Sequence, residues 1–314
     1  MHYLLLLVGF ILIIQASDVL VEAAKSIAIR LGIPKMLIAL TIVAFGTCAP
    51  EIAISFKSIM GANGSIALAN VIGSCIVNIL LVIAVACILS PIKVKNITIK
   101  KELPLLALVT MSFVVVIANG MLNKYKYGVL NRFDGLFLLF LFTLFIAYIV
   151  RLVKNKDVSH KKEAKYSTIK SIIYVVVSII VISFSADMLV DNAILVAEDL
   201  GISQKVITMI AIVIGTSLPE LFLTVTAARK KEHEMAIGNI IGTNIFNICV
   251  VLGLPIFMFD GFAIIDFNLI DIIVVLIAAM LLYVFAKNDK TISKKEGLVM
   301  LSIFVIYYSY IIFI

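Results

Sequence analysis

A motif that sets a glutamate directly after a proline occurs twice in this chain, each time inside an apolar run long enough to cross a lipid bilayer. The first copy is GTCAPE (46–51) and the second is GTSLPE (215–220). A charged side chain at the centre of a membrane helix costs about 2.5–3.5 kcal/mol on insertion scales. Two such acids in the same sequence context are therefore interpreted as two parts of one functional site.

The apolar runs around these motifs belong to a longer pattern. Hydrophobic residues make up 63% of the chain and charged residues only 14%, whereas soluble domains carry about 25% charged residues. Most of the runs reach the roughly 20 residues that a transmembrane helix needs. They cover residues 3–29, 36–56, 65–89, 104–119, 134–150, 171–197, 206–228, 235–259, 268–286 and 297–313. We therefore expect an all-α membrane protein with ten transmembrane helices.

The two halves of the chain repeat each other. At an offset of 169 residues, without a gap, special residue types recur over some 60 positions. The matched pairs include Asp18 and Asp187, Pro50 and Pro219, Glu51 and Glu220, Asn70 and Asn239, Gly73 and Gly242, and Asn78 and Asn247. Such a register indicates the duplication of a five-helix unit. Because five is odd, the second copy must cross the membrane in the opposite direction, as in the inverted repeats of many secondary transporters.

The repeat and the distribution of basic residues together predict the domains and the topology. Residues 1–150 form the first five-helix repeat, 151–170 a linker loop, and 171–314 the second, inverted repeat. Of the 26 Lys and Arg residues, 21 fall in one set of alternate loops, which includes the linker. Because basic loops stay on the cytoplasmic side, we expect a plasma-membrane protein with a cytoplasmic linker and both termini extracytoplasmic. The net charge of +7 is then a topology signal, and the lipid bilayer rather than nucleic acid is the partner.

Each motif also places a helix breaker beside its acid. Pro50 and Pro219 lack an amide hydrogen, and their rings clash with the carbonyls of Gly46 and Gly215. Both helices are predicted to break near the glutamate and to free backbone carbonyls, which serve as cation ligands in broken transporter helices. A plain proline kink would not require a glutamate directly after it in both copies.

Oxygen-bearing residues recur at i,i+4 spacing, which puts the members of each pair on one helix face. The pairs are Thr47 and Glu51, Ser74 and Asn78, Thr216 and Glu220, and Thr243 and Asn247. The two carboxylates and two amides offer up to six side-chain oxygens, and Ca²⁺ takes six to eight oxygen ligands. Taken singly, the Ser, Thr and Asn positions are equally consistent with hydrogen bonds between membrane helices. The repeated spacing favours a cation site.

Four further acids lie in the first helices of the two halves, two in each. They are Asp18, Glu22, Asp187 and Asp191. These acids could line an ion path, but a structural or gating role is the favoured interpretation. Glycines at 61, 64, 73, 238 and 242 are expected to let the helices around the site approach one another closely.

At these motifs the chain resembles the Ca²⁺/cation antiporter superfamily and, within it, the prokaryotic members of the Na⁺/Ca²⁺ exchanger family. The matching segments are GTCAPE (46–51) with GSCIVN (73–78), and GTSLPE (215–220) with GTNIFN (242–247). They are similar to the two signature repeats of that family, which would span 46–78 and 215–247 here. The resemblance implies the ten-helix plan, cation sites at the membrane midplane, and exchange of several Na⁺ ions for one Ca²⁺.

The resemblance also implies which residues bind the ions. The central ligands would be Glu51, Glu220, Asn78 and Asn247. Hydroxyl, sulfur or backbone contacts around them would come from Thr47, Cys48, Ser74, Thr216, Ser217 and Thr243.

Three positions depart from the pattern of the family. Cys48 stands where serine is usual, and because a thiol is a poor ligand for a hard cation, the carbonyl of this residue is the expected contact. Cys75 stands where the motif has asparagine. Asn247 stands where several relatives, including the K⁺-dependent branch, have aspartate. The site then holds only two formal negative charges, which argues against co-transport of K⁺.

The sequence therefore predicts a secondary active antiporter, not an enzyme, that serves calcium homeostasis by exchanging Ca²⁺ for Na⁺ through a shared midplane site. Exchange is expected to be electrogenic and independent of K⁺. No cofactor and no protein partner are expected, since Ca²⁺ and Na⁺ are themselves the bound and transported ions. The nearest alternative is a Ca²⁺/H⁺ antiporter that uses the same glutamate pair. A membrane-embedded enzyme with an acid pair and a cation channel are more distant alternatives.

Overall fold

The computed structural model describes residues 2–61, 64–122, 128–154, 164–199, 215–264 and 268–313, and most of them are helical. The helices are α1 (His2–Leu31), α2 (Lys35–Thr47), α3 (Ala49–Met60), α4 (Gly64–Leu89), α5 (Leu103–Leu122), α6 (Arg132–Lys154), α7 (Thr168–Asp199), α8 (Leu218–Arg229), α9 (His233–Met258), α10 (Leu269–Lys287) and α11 (Lys294–Phe313). Wider π-helical turns lie within α2 (Ala39–Val43), α4 (Asn78–Ile83) and α9 (Asn247–Leu252), and another precedes α5 (Thr98–Glu102).

Most of the predicted membrane segments are helices of sufficient length. Among the described residues, seven helices are long and apolar enough to cross a membrane, and α2 with α3 forms an eighth candidate with a 49° bend. The seventh predicted segment, 206–228, lies partly in 200–214, and the predicted linker, 151–170, lies partly in 155–163; both stretches are outside the described residues. The prediction of an all-α membrane protein is confirmed at this level, and the count of ten spans stays a prediction.

The duplication in the sequence recurs in the elements that it forms. Helices α3 and α8 begin and end 169 residues apart, and so do α4 and α9. The π-helical turns inside α4 and α9 begin at Asn78 and Asn247, again with this offset. The residues before α3 and α8 have similar backbone angles, φ −79° and ψ 5° at Cys48 and φ −90° and ψ 4° at Ser217. The repeated sequence therefore folds locally in the same way twice.

Two short antiparallel ribbons join the halves of the chain, and the sequence did not predict them. Strand β1 (Ile92–Lys93) follows α4 and pairs with β4 (Thr291–Ile292), which precedes α11. Strand β2 (Gly128–Leu130) precedes α6 and pairs with β3 (Phe262–Ile264), which follows α9. Each ribbon thus links the strand after a central helix of one half to the strand before the last helix of the other half.

Helices α4 and α9 form the centre of the molecule. The apolar windows of α4 and α9 are 78% and 83% buried, whereas those of α1 and α7 are 33% buried. Helices α1 and α7 pack against each other and leave many apolar side chains exposed on their outer faces. The broken helices α2, α3 and α8 contact α4 and α9, so both glutamate motifs lie beside the buried centre.

Ion pairs tie α1 and the start of α2 to the turn between α8 and α9. In that turn, Glu232 pairs with Lys25 at 2.9 Å and also with Lys35. Burial alone would raise the pKa of Glu232, but the hydrogen bonds and charges of Lys35 and Lys25 outweigh it and hold that pKa below its ordinary value. The carboxylate is therefore ionised at neutral pH and links the turn between α8 and α9 to two helices of the first half.

Candidate cation site

Two glutamates are fully buried at the centre of the structure. Glu51 and Glu220 have no exposed surface, and all four of their carboxylate oxygens lack a hydrogen-bond partner among the described residues. The two carboxylates are near enough for their charges to interact. Burying an isolated ionised carboxylate is very costly unless another charge compensates it. Two such groups in one buried region therefore require a bound cation or protons.

A break in the helix precedes each glutamate, as predicted. Helix α2 ends at Thr47, Cys48 leaves helical geometry, and α3 resumes at Ala49 with Pro50 in its first turn. In the second half, Ser217 leaves helical geometry in the same way directly before α8 begins at Leu218. The residues before Gly215 are outside the described part of the chain. Each glutamate lies in the first turn of the helix after the break, at the positive end of the helix dipole.

The second helix of each half brings its amide at a π-helical turn. Asn78 and Asn247 are the first residues of the two π-helical turns in α4 and α9, and both are fully buried. Single π-helical turns within α-helices are frequently found at functional sites. One turn earlier in each helix, Ser74 and Thr243 are also fully buried. The predicted i,i+4 pairs therefore lie inside the protein rather than facing lipid.

Several predicted ligands share one property: they carry buried oxygens without a hydrogen-bond partner in the described structure. Nine such oxygens belong to Glu51, Glu220, Ser74, Asn78, Ser217, Thr243 and Asn247. Native proteins satisfy the large majority of their buried polar atoms. A concentration of unpartnered oxygens is what a dehydrated cation needs, because Ca²⁺ takes six to eight oxygen ligands.

The remaining predicted ligands behave differently. The Thr47 hydroxyl donates to the carbonyl of Ala44 at 3.3 Å and lies near Glu220. The Cys48 thiol lies near Thr243 without hydrogen-bond geometry, and the Cys48 carbonyl already accepts from the amide of Ile52 at 3.1 Å. Thr216 is half-buried. The second lone pair of the Cys48 carbonyl therefore remains available for an ion.

A buried asparagine supports the glutamate region in each half. Asn70 donates to the Glu51 carbonyl at 3.4 Å and to Ser55 at 3.5 Å. In the second half, Asn239 donates to Thr224 at 3.2 Å. The sequence repeat pairs the two asparagines, but the supporting hydroxyls at 55 and 224 were not singled out, because serine and threonine are common in membrane helices.

One further residue at the site escaped sequence reasoning. Asn244 accepts a hydrogen bond from Asn78 at 2.9 Å, across the boundary between the two halves. The available signal was the third residue of GTNIFN (242–247), whose counterpart in the first half is Cys75.

The four further acids of α1 and α7 differ in their contacts between the two halves. Asp18 and Glu22 pair with Lys230 at 3.0 and 4.0 Å. Asp187 and Asp191 form no ion pair within the part of the chain that the structure describes. The favoured structural role agrees with the contacts of the first two acids, and it stays a prediction for all four.

Broken helices that repeat in both halves and converge on buried, unpartnered oxygens are the features of a secondary transporter for cations. The sequence model of the family described as "Sodium/calcium exchanger protein" matches residues 1–151 and 170–313, so that only the predicted linker lies outside it. The chain therefore belongs to the sodium/calcium exchanger family. It is thus an ion exchanger of a transporter family, embedded in the membrane by several helices.

Individual relatives support this assignment over most of the chain. The sodium/calcium exchanger MaX1 of Methanosarcina acetivorans is 30% identical over 97% of this chain and 96% of its own length. The inner membrane protein YrbG of Escherichia coli is 35% identical over 82% of this chain and 80% of its own length. The structure of the sodium-calcium exchanger NCX_Mj soaked with 10 mM Na⁺ and zero Ca²⁺ superposes with a TM-score of 0.83, at 30% identity and 98% coverage of both chains.

Proposed function

We propose that this protein is a Na⁺/Ca²⁺ antiporter in which Glu51 and Glu220 bind Ca²⁺ and Na⁺ in turn. The observation that carries the proposal is the pair of fully buried glutamates with four unpartnered carboxylate oxygens. Asn78 and Asn247 complete the centre of the site, and Ser74, Ser217 and Thr243 supply hydroxyl oxygens around it. Membership in the sodium/calcium exchanger family selects the ions.

Competition for shared oxygens explains exchange. One Ca²⁺ neutralises both carboxylates, and Na⁺ ions can do so in its place, but both sets of ions cannot use the same oxygens together. An empty site would leave two carboxylates buried without compensation, which is very costly. The reorientation of the protein across the membrane is therefore favoured only when the site is loaded. Strict coupling follows from this cost.

The proposed topology is two inverted five-helix repeats with ten spans, a cytoplasmic linker at 151–170 and both termini extracytoplasmic. The exact offset between α3 and α8 and between α4 and α9 supports it, as do the ribbons that link opposite halves. Helices α1 and α7 carry no copy of the proline–glutamate motif and pack against each other. They are the elements that we expect to slide past the other helices and open the site to each side.

The ion stoichiometry that we propose, three Na⁺ for one Ca²⁺, is the one that the resemblance to the Na⁺/Ca²⁺ exchangers implies. With Asn247 in place of an acid, the site carries two formal charges, from Glu51 and Glu220. Ca²⁺ neutralises them, and a third Na⁺ would have to enter on neutral oxygens. Exchange of three Na⁺ for one Ca²⁺ would move one net charge, so we expect electrogenic transport that does not need K⁺.

Reconstitution into vesicles tests this function against its nearest alternative. Purified protein in proteoliposomes should take up radioactive Ca²⁺ when an outward Na⁺ gradient is imposed with the pH clamped on both sides. A voltage-sensitive dye should report a membrane potential, and replacement of K⁺ by choline should not change the rate. Ca²⁺ uptake that ignores Na⁺ and follows a pH gradient would instead establish a Ca²⁺/H⁺ antiporter.

A further inference from the structure

The two central amides of the site are held unequally. The Asn78 side chain donates through Nδ2 to Oδ1 of Asn244 at 2.9 Å, and Asn244 in turn donates to the carbonyl of Cys75 at 3.4 Å. All three residues are at most 1% exposed. Because the amide nitrogen of Asn78 is engaged, its Oδ1 is left without a protein partner. The Oδ1 atom of Asn78 therefore points away from the hydrogen bond to Asn244 and is available to a cation.

The equivalent support is missing in the other half. Asn247 is the repeat counterpart of Asn78, and the residue that corresponds to Asn244 is Cys75, 169 positions earlier. A thiol is a weak hydrogen-bond acceptor compared with an amide oxygen. Both Nδ2 and Oδ1 of Asn247 accordingly lack a partner in the described structure. No hydrogen bond from the residues that the structure describes fixes the rotation of this amide before an ion arrives.

We propose that Asn244 is a positioning residue that orients Asn78 for Ca²⁺, and that Cys75 leaves Asn247 to be oriented by the ion itself. This inference rests on the proposed antiport function. A ligand oriented in advance binds more tightly, because less rotational freedom is lost on binding. One hydrogen bond of this kind changes an equilibrium by about threefold to tenfold. The two halves of a nearly symmetric site thus contribute unequally to Ca²⁺ affinity.

The test measures Na⁺-driven Ca²⁺ uptake as a function of Ca²⁺ concentration. Asn244→Ala should raise the half-saturating Ca²⁺ concentration about threefold to tenfold and leave the maximal rate largely unchanged. Cys75→Asn offers Asn247 an acceptor and should lower the half-saturating concentration by a similar factor. Cys75→Ala removes the thiol without adding an acceptor and serves as the matched control with unchanged kinetics.

A double-mutant cycle tests whether Asn244 acts through Asn78. If it does, Asn244→Ala should add little to Asn78→Ala, because the side chain to be positioned is gone. Additive effects of the two substitutions would overturn the proposal, and so would an unchanged Ca²⁺ dependence in either Asn244→Ala or Cys75→Asn. These outcomes differ from a failure of the antiport function itself, in which the unmodified protein would show no Na⁺-driven uptake. If Asn244→Ala does not fold, Cys75→Asn alone still decides the outcome.

An independent feature lies at the ends of two helices, far along the chain from the glutamates. A cavity of about 450 Å³ is lined by Asn96, Lys100, Tyr283, Lys287 and Lys290, together with apolar groups. None of its three lysines forms an ion pair within the described residues. Lys287 lies over the ring of Tyr283, with 6.0 Å between the ammonium nitrogen and the ring centroid. Three uncompensated positive charges around one cavity indicate an anionic ligand.

The position of this cavity identifies the chemistry of that ligand. Lys100 lies in the first turn of the candidate span Thr98–Asn119, and Lys287 is the last residue of the candidate span Leu269–Lys287. Residues at the ends of spans are level with the lipid headgroups. Basic pockets between transmembrane helices bind the headgroups of anionic lipids. We infer that this cavity binds the phosphate of an anionic phospholipid.

Purified protein in detergent tests the lipid site without any transport assay. Phosphatidylglycerol should raise the melting temperature and remain bound in native mass spectrometry, whereas phosphatidylcholine should do neither. The combined variant Lys100→Gln, Lys287→Gln and Lys290→Gln should lose both effects. Inorganic phosphate is added in a separate arm, and an equal stabilisation by it would show a free-anion site and overturn the lipid assignment.

A matched control removes the same number of charges elsewhere. Lys170, Lys294 and Lys295 are exposed, lie outside the cavity and form no ion pair within the described part of the chain. Their combined replacement by Gln should leave the phosphatidylglycerol response intact. Loss of the response in this control would mean that lipid binding reflects net charge and not the cavity.

Discussion

The close approach of α9 to α2 provides the sharpest test of how the site is built. Gly242 lies one residue before Thr243, and its Cα faces the π-helical turn of α2. A methyl group at this position would lie 2.7 Å from the carbonyl oxygen of Leu40, 2.8 Å from the Cα of Leu40 and 3.0 Å from the Cβ of Ala44. Two of these atoms belong to the backbone and cannot rotate away. Gly242→Ala must therefore separate the two helices.

The size of the effect follows from these distances. Ordinary contact of a Cβ begins at about 3.4 Å, so the helices must move apart by about 0.7 Å to accept the methyl group at 2.7 Å. Bonds from Ca²⁺ to oxygen are about 2.3–2.6 Å long, and a displacement of about 0.7 Å would break the proposed coordination by Thr243 and Asn247. A misplacement of about 1 Å can cost about a hundredfold in rate. We expect Ca²⁺ exchange to fall about 30- to 100-fold, with about 1–3 kcal/mol of lost stability from overpacking.

The assay is Na⁺-driven Ca²⁺ uptake into proteoliposomes that contain equal amounts of folded protein. Gly238→Ala, one turn earlier in α9, is the control. Its methyl group would meet the sulfur of Met36 at 2.7 Å, which is the flexible part of a long side chain. The Cβ of Ala39 at 3.1 Å and the Met36 carbonyl oxygen at 3.3 Å need to give by only a few tenths of an ångström, so exchange should change by less than about threefold. Wild-type exchange in Gly242→Ala, or an equal loss in both variants, would refute the argument that helix spacing at Leu40 sets the site geometry.

Three further predictions concern single side chains. Glu51→Gln and Glu220→Gln should each abolish Ca²⁺ exchange because one of two compensating charges is lost, and near-normal exchange in either variant would remove that residue from the site. Cys48→Ser should change the half-saturating Ca²⁺ concentration less than about threefold, since a soft thiol contributes little to binding a hard cation; a larger change would assign the thiol as a ligand. Glu232→Gln should lower stability by about 2 kcal/mol through the loss of charged hydrogen bonds, while Glu234→Gln, which loses an ion pair to a mostly exposed lysine, should change it by less than about 1 kcal/mol. The pKa of Glu232 lies below its ordinary value of 4.5. The stabilisation by this carboxylate is therefore complete above about pH 4.5 and is lost as the pH falls through its lowered pKa. Thermal melting from pH 7 to pH 3 checks this expectation, and a difference between Glu232→Gln and the wild type that stays constant over this range would contradict it.

The parts of the site that could be predicted are those with a high energetic cost. A glutamate or a proline in a bilayer-length apolar run is so unfavourable that two copies in register identify the helix breaks and the buried acids directly. The buried positions of Ser74, Asn78 and Thr243 follow from helix periodicity together with the repeat.

Other features depend on geometry that no local pattern records. The π-helical turns at Asn78 and Asn247 have no distinct composition. The hydrogen bond between Asn78 and Asn244 joins helices of different halves, and an internal repeat relates equivalent residues but does not say which of them meet. Likewise, the ribbon strands are two or three residues long, too short for an alternating pattern.

The two ribbons also set an order for the synthesis of the protein. Strand β2 (Gly128–Leu130) is made early, yet its partner is Phe262–Ile264. Strand β1 (Ile92–Lys93) has its partner at Thr291–Ile292, just before the last helix. The first half therefore leaves the ribosome with both of its strands unpaired, and each ribbon can close only after the second half has been inserted. Assembly of this protein is completed late in synthesis, and a nascent chain that stops before Thr291 lacks the partner of β1.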